Sequence, residues 1–217
     1  MMQHKFEDIS RYVSMQGLLK LDRIAAEADQ VARERESACK RIADGVSDSG
    51  WIIVQVAYGR EQAVEKDMAD AGIEACVVMR QGPERKRRYR ILPSVSIPVF
   101  NGLVFVFCHP SAEALRGIRT FEHVKAVVMA GDRAAFVSSE KISQFRQMAD
   151  NGDYDYKRRS DGFVEGEKVR IASGPFTGFD VAIEAFVGAK DGDAVVTINI
   201  LGKPTVFNMP LVMLEKV

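Results

Sequence analysis

The sequence predicts an α+β chain in two folded parts: a sandwich of ferredoxin-like kind over 50–149 and a small five-stranded β-barrel over 162–217, behind a helical extension at 1–49. Three observations carry this. Strand-like runs and helical periodicities are interleaved between Trp51 and Ala149, as two helices folded over an antiparallel sheet require. Gly162–Val217 holds five short β-rich runs, too few residues to bury a core as a flat sheet. Between them, Asp150–Asp161 is polar, turn-prone and aperiodic, and reads as a linker over 150–161.

The extension has no proline from Gly17 to Ala43, and Leu21, Ala25, Ala28, Val31, Ala32, Ala38 and Ile42 recur at helical spacing among mixed charges. One amphipathic stripe results, which packs on its own protein, stays partly mobile or pairs with a partner helix; its alanines and Arg35 argue against a long coiled coil. Ser47-Asp48-Ser49-Gly50 closes the segment as a turn.

Trp51–Ala57 is a strand-like apolar run, and a helix is expected over Arg60–Ala71, closed by Gly72. Ile73–Met79 reads as a second strand, followed by the basic loop Glu84-Arg85-Lys86-Arg87-Arg88-Tyr89-Arg90. Val95–Phe100 and Leu103–Cys108 form a strand pair turned by Asn101-Gly102. A helix over Ser111–Ile118, a strand at Lys125–Met129 and a hydroxyl-capped helix from Ser138 to about Ala149 complete the sandwich. In the barrel, Glu167–Ala172 alternates apolar and charged, and Lys190-Asp191-Gly192-Asp193 turns Val181–Phe186 into Ala194–Ile200. Pro204–Met209 and Leu211–Glu215 supply the last strands.

Composition limits the function. Thirty basic and thirty acidic residues cancel, so attraction to nucleic acid needs a local patch. No run is long or charge-free enough to span a bilayer, and no secretory h-region opens the chain. Cys39, Cys76 and Cys108 are odd in number and far apart, which fits reduced thiols in the cytoplasm. His4, His109 and His123 show no metal spacing, and phosphate-cradle and nucleophile-elbow motifs are missing, so neither cofactor, metal nor catalysis is expected.

Phe163-Val164-Glu165-Gly166-Glu167-Lys168-Val169-Arg170-Ile171, followed by Gly174-Pro175-Phe176-Thr177-Gly178-Phe179, resembles the opening of a KOW domain of the NusG family. Ile198–Thr205 and Leu214–Val217 are similar to the family's last hairpin and terminal strand. Valine stands at 181, where the motif has glycine, which suggests that a bulge is lost or shifted. Over Gly50–Ala149, Trp51–Val54, Gly59-Arg60-Glu61 and Pro98–Val106 resemble the family's NGN domain. The resemblance implies an NGN sandwich followed by an SH3-like KOW barrel. Asn101 replacing a proline, Leu103 replacing an aromatic and the added helix suggest a specialised paralogue of the RfaH-like kind.

By that resemblance, Phe100, Leu103 and Phe105 would bind the clamp helices of RNA polymerase in transcription elongation and operon-specific antitermination. Alternating strand residues are more often core, so at most some of these three would be free to dock. Arg85, Lys86, Arg87, Arg88 and Arg90, with His109 at the end of the strand after Phe105, would lie near DNA or nascent RNA phosphates. Phe179, Ile200, Leu201 and Lys203 match the barrel positions that hold a ribosomal protein of the NusE type or the termination factor Rho. Seven acidic residues (Glu165, Glu167, Asp180, Glu184, Asp191, Asp193 and Glu215) outnumber the barrel's basic ones, favouring a protein partner there. A general NusG coupling factor, or an RNA-binding or ribosome-associated KOW protein, is the alternative.

Overall fold

The computed structural model describes residues 14–87, 90–156, 162–187, 192–200 and 203–217. Helix α1 (Met15–Ser37) is capped by Ser14, whose Oγ accepts from the Gly17 amide at 3.2 Å. The helix predicted to run to Ala43 breaks at Ala38 and resumes as α2 (Lys40–Ala43). The break has a local cause. Ala38 and Ala43 are both buried, and Cys39 is extended, with its Sγ against the Ala71 carbonyl at 3.2 Å and the next amide, Lys40 N, bonded to Gly72 O. A straight helix could not make those contacts.

The sandwich is built on strands β1 (Gly50–Val56), β2 (Glu74–Cys76) and β7 (Leu103–Cys108), with β8 (Val124–Val127) and β11 (Phe136–Val137) beside β1. All these pairings are antiparallel, and β1 and β7 run in register from Gly50↔Cys108 to Gln55↔Leu103. Alternation then sorts the side chains. Ile52, Val54, Val56, Val104, Val106 and Cys108 take one face, under α3 (Glu61–Asp70) and α4 (Ala112–Arg119). Trp51, Ile53, Leu103 and Phe105 take the other, against α5 (Ser139–Asp150).

The run expected as one strand over 73–79 is two: β2 and then β3 (Met79–Gln81), which leaves the central sheet to pair with β6 (Ser96–Pro98). Between them the basic segment forms a two-stranded ribbon, β4 (Arg85–Arg87) with β5 (Arg90–Leu92), instead of a loop. A second small ribbon, β9 (Met129–Ala130) with β10 (Arg133–Ala134), precedes β11.

The C-terminal sheet has the order β15-β14-β13-β12-β16, from β12 (Lys168–Ile171), β13 (Asp180–Val187), β14 (Asp193–Ile200), β15 (Lys203–Pro210) and β16 (Leu214–Lys216). Leu211–Met213, expected as strand, is a 3-10 turn that buries Leu211 and Met213 before β16 pairs with β12. Val181 sits opposite Val169 and is buried with it, filling the barrel where glycine would leave a gap. The register irregularity falls instead between Ile183 and Ala185, so the bulge has shifted along β13.

The two parts share one core. A single buried cluster runs from Trp51, Phe100 and Phe105 of the sandwich to Phe176, Phe207 and Met213 of the barrel. Tyr154, in the segment read as linker, is 1% exposed within it. No helix among the described residues is long and apolar enough to cross a membrane.

Candidate protein-docking face

The face is set by a turn. Gly102 has φ 80°, a left-handed conformation that favours glycine, and its amide donates to buried Glu61 Oε1 at 2.6 Å. The same oxygen accepts from Gly59 N at 3.1 Å, and Gly102 O accepts from Val56 N. Pinned in this way, the turn brings Phe100 and Phe105, of opposite parity along an unbroken strand, to one side. Their rings meet edge-on with centroids 6.4 Å apart.

Phe145 of α5 stacks on Phe100 at 5.2 Å. The helix start is capped by Ser138 Oγ, which accepts from Lys141 N. From the barrel, Phe176 and Phe207 each present an edge to Phe100, at 5.4 and 5.6 Å, and tilt against each other at 5.2 Å. Such pairs contribute roughly 0.5–1.5 kcal/mol each beyond burial. The expected polymerase-docking residues Phe100, Leu103 and Phe105 are 3%, 3% and 2% exposed. The structure gathers all three on one face, and the barrel covers it.

Polar contacts fix the covering. Arg80, 1% exposed at its side chain, donates from Nη2 to both Asp193 oxygens, at 2.6 and 2.7 Å. Its Nη1 reaches Tyr154 O at 3.4 Å, while its Nε is buried with no hydrogen-bond partner among the described residues. The Tyr156 amide bonds Gln81 O, and Gln81 N donates to Asp155 Oδ1 at 2.8 Å. Asn101 makes an isolated β-bridge with Asn208. Gly174, at φ 85°, sits where a Cβ would come within 2.6 Å of Met213 Cε and 3.5 Å of the Phe145 ring. Burial pushes the Tyr154 phenol up, and a hydrogen bond with Ser173 of the barrel opposes that shift.

The other expected residues fall elsewhere. Phe179 is 41% exposed. Extending the Ala182↔Thr197 register by two residues puts Asp180 beside Asn199, so Phe179 shares a barrel end with the paired backbones of Ile200 and Lys203. Leu201 lies outside the described residues, as does Arg88. Arg85, Lys86, Arg87 and Arg90 are in the β4–β5 ribbon, which pairs Arg87 with Arg90. His109, just past β7, is half-buried, and its Nδ1 has no hydrogen-bond partner among the described residues. Among the described residues no group of three or more His, Cys, Asp or Glu could hold a metal ion.

Sequence reasoning missed the pairing of Arg80 with Asp193. A lone arginine between Met79 and Gln81 is a faint signal, and Asp193 is accounted for by its hairpin turn. Tyr154 was hidden by its polar surroundings. Phe145 and Phe207 are apolar positions of a helix and a strand, and nothing in their spacing shows that they meet.

Residues 49–146 match the family described as "Transcription termination factor nusG". Among solved structures, the chain is similar to that described as "Domain interaction in Thermotoga maritima NusG", at 23% identity, covering 78% of this chain and 97% of that one, with a TM-score of 0.37. It is also similar to "MjSpt4:Spt5 complex conformation A", at 12% identity, with coverage of 77% and 97% and a TM-score of 0.24.

Proposed function

With residues 49–146 a NusG-family domain, we propose that the chain is a transcription elongation factor that binds RNA polymerase through Phe100, Leu103 and Phe105. It acts by binding, without covalent chemistry. The observation that carries this reading is the covering of that face. Three large apolar side chains are brought to one side of the sandwich, and the outer layer over them is the chain's own barrel. Removing the barrel would leave an aromatic patch of the kind that anchors a protein partner.

On this reading the factor has a closed form and an open form, and polymerase competes with the barrel for the same rings. A factor closed by default is suited to conditional, operon-specific antitermination rather than constitutive coupling. In the open form, Phe179 and the Ile200–Lys203 end would hold a ribosomal protein of the NusE type or Rho. The basic β4–β5 ribbon would follow DNA or RNA phosphates.

The test is a titration of isolated polymerase clamp helices into the full chain and into the Phe207→Ala variant. The variant should bind about tenfold more tightly, because closure loses one ring at its centre. If neither protein binds the clamp helices at low salt, while both bind RNA, the chain is instead an RNA-binding KOW protein. Transcript mapping after depletion separates the specialist from the generalist: changes confined to a few operons are expected.

A further inference from the structure

Among the described residues, the side-chain bonds that tie helix α1 to α4 and its C-cap come from the C-terminal third of α1. Arg116 Nε of α4 donates to Glu34 at 2.9 Å, and Arg35 donates to the Thr120 hydroxyl at 2.8 Å and to its carbonyl at 2.9 Å. Arg35 also lies over the Phe121 ring at 4.1 Å. From residue 21 to residue 30, every residue is exposed. Yet this overhang carries a stripe at three- and four-residue spacing: Leu21, Ile24, Ala28 and Val31. Leu21 is 40% and Ile24 50% exposed. Where the stripe reaches the body of the protein it lines an open groove of about 850 Å³, whose walls include Ala28, Ala32 and Ala71. Small side chains there leave room for bulky ones from outside.

The edges of the stripe have a sign. Asp22, Asp29 and Glu36 recur at seven-residue intervals along one edge; along the other lie Lys20, Glu27 and Glu34, the last buried and already paired with Arg116. Among the described residues, Asp22 and Asp29 make no ion pair. Glu27 and Glu36 are in exposed pairs with Arg23 and Arg41, which exchange cheaply for another partner. A second copy would set acidic edge against acidic edge, and nucleic acid is repelled for the same reason.

We propose that the overhanging stripe of α1 is a docking surface for an amphipathic helix of another protein, with bulky apolar residues at heptad spacing and lysine or arginine flanking them. The two helices would pack as a short coiled coil, with the partner's large side chains over Ala28 and Ala32. Because α1 packs against α4, on the Val104 and Val106 face of the sheet, this surface is separate from the Phe100 face. Both can be occupied at once.

The probe is a pair of labelled peptides of about 21 residues, with leucine at both core positions and either lysine or glutamate at the flanking ones, titrated into the full chain by fluorescence anisotropy. The lysine peptide should bind and the glutamate peptide should bind at least about tenfold more weakly. Asp22→Lys with Asp29→Lys should invert that preference. Ala28→Asp should lower binding at least about tenfold while leaving the melting temperature and clamp-helix binding unchanged, since Ala28 is exposed. The proposal is overturned if neither peptide binds or if both bind alike. It also fails if Ala28→Asp abolishes a self-association seen by sedimentation, which makes a second copy the occupant. Binding of the lysine peptide only after residues 1–13 are removed would overturn it too, assigning the groove to the chain's own N-terminus.

Discussion

Arg80 of the sandwich grips both carboxylate oxygens of Asp193 in the barrel, at 2.6 and 2.7 Å, from a position that water barely reaches. Removing one member of such a pair strands the other, at a cost of roughly 3–5 kcal/mol. Asp193→Ala should therefore undock the barrel, because opening rehydrates Arg80. The expected readouts are faster proteolysis within 150–161 and a larger radius of gyration by solution scattering. An Arg80→Met, Asp193→Leu double variant should regain most of the closure, since neither side chain then needs water. Unchanged proteolysis in Asp193→Ala would show that the pair does not hold the domains together.

The aromatic cluster offers a way to test closure apart from the proposed docking. Phe207 belongs to the barrel and Phe100 to the sandwich, and the two rings meet edge-on. Phe100→Ala should loosen closure and weaken clamp-helix binding together, at a cost to the docked state of about 3–5 kcal/mol. Phe207→Ala should loosen closure alone. Calorimetric titration of both variants distinguishes them by opposite changes in affinity, and equal changes would remove Phe100 from the docking face.

Gly117 lies where α1 crosses α4, and a Cβ there would collide with the backbone of Glu34 and Arg35. Alanine normally favours a helix by about 1 kcal/mol over glycine. Here the overlap should win, destabilising by about 1–3 kcal/mol as α1 is pushed away. Denaturant titration of Gly117→Ala should show a lower midpoint, and the Glu34–Arg116 pair should be lost with it. A raised midpoint would mean that α1 rides freely on α4.

Burial pushes the Cys108 thiol up to about 12. Its unfolded counterpart ionises near 9.0, so the folded state holds its proton longer. The buried thiol's contribution to stability is complete below pH 9 and is lost as pH rises toward 12, to a limit of about 4 kcal/mol. At pH 8, labelling by iodoacetamide read by mass spectrometry should leave Cys108 unmodified until the chain unfolds. Cys108→Ala should flatten the alkaline side of the stability profile.

Much of the fold was legible because it is written in local pattern. Trp51–Val56 and Leu103–Cys108 are apolar runs bounded by turn residues, and Ser138 announces its helix. The barrel strands alternate, so Val169 and Ile171 identify themselves as core. What stayed hidden depends on distant partners. The break at Ala38 needs Gly72 to accept the Lys40 amide, and the 3-10 turn at Leu211–Met213 needs a barrel to fill. At the site, sequence singled out Phe100, Leu103 and Phe105 but not the barrel that covers them. The rings of Phe145, Phe176 and Phe207 read as interior residues of their own elements, and their meeting at Phe100 is a matter of tertiary packing.

The shared cluster at Phe100 makes closure a tax on affinity. If polymerase and barrel draw on the same rings, the measured dissociation constant equals the intrinsic one divided by the open fraction, so each tenfold gain in closure raises it tenfold. The strength of a contact that never touches polymerase would then set the polymerase concentration at which the factor engages. A substitution at Arg80, Asp193, Phe176 or Phe207 would act as a dial on that threshold and leave the complex itself unaltered.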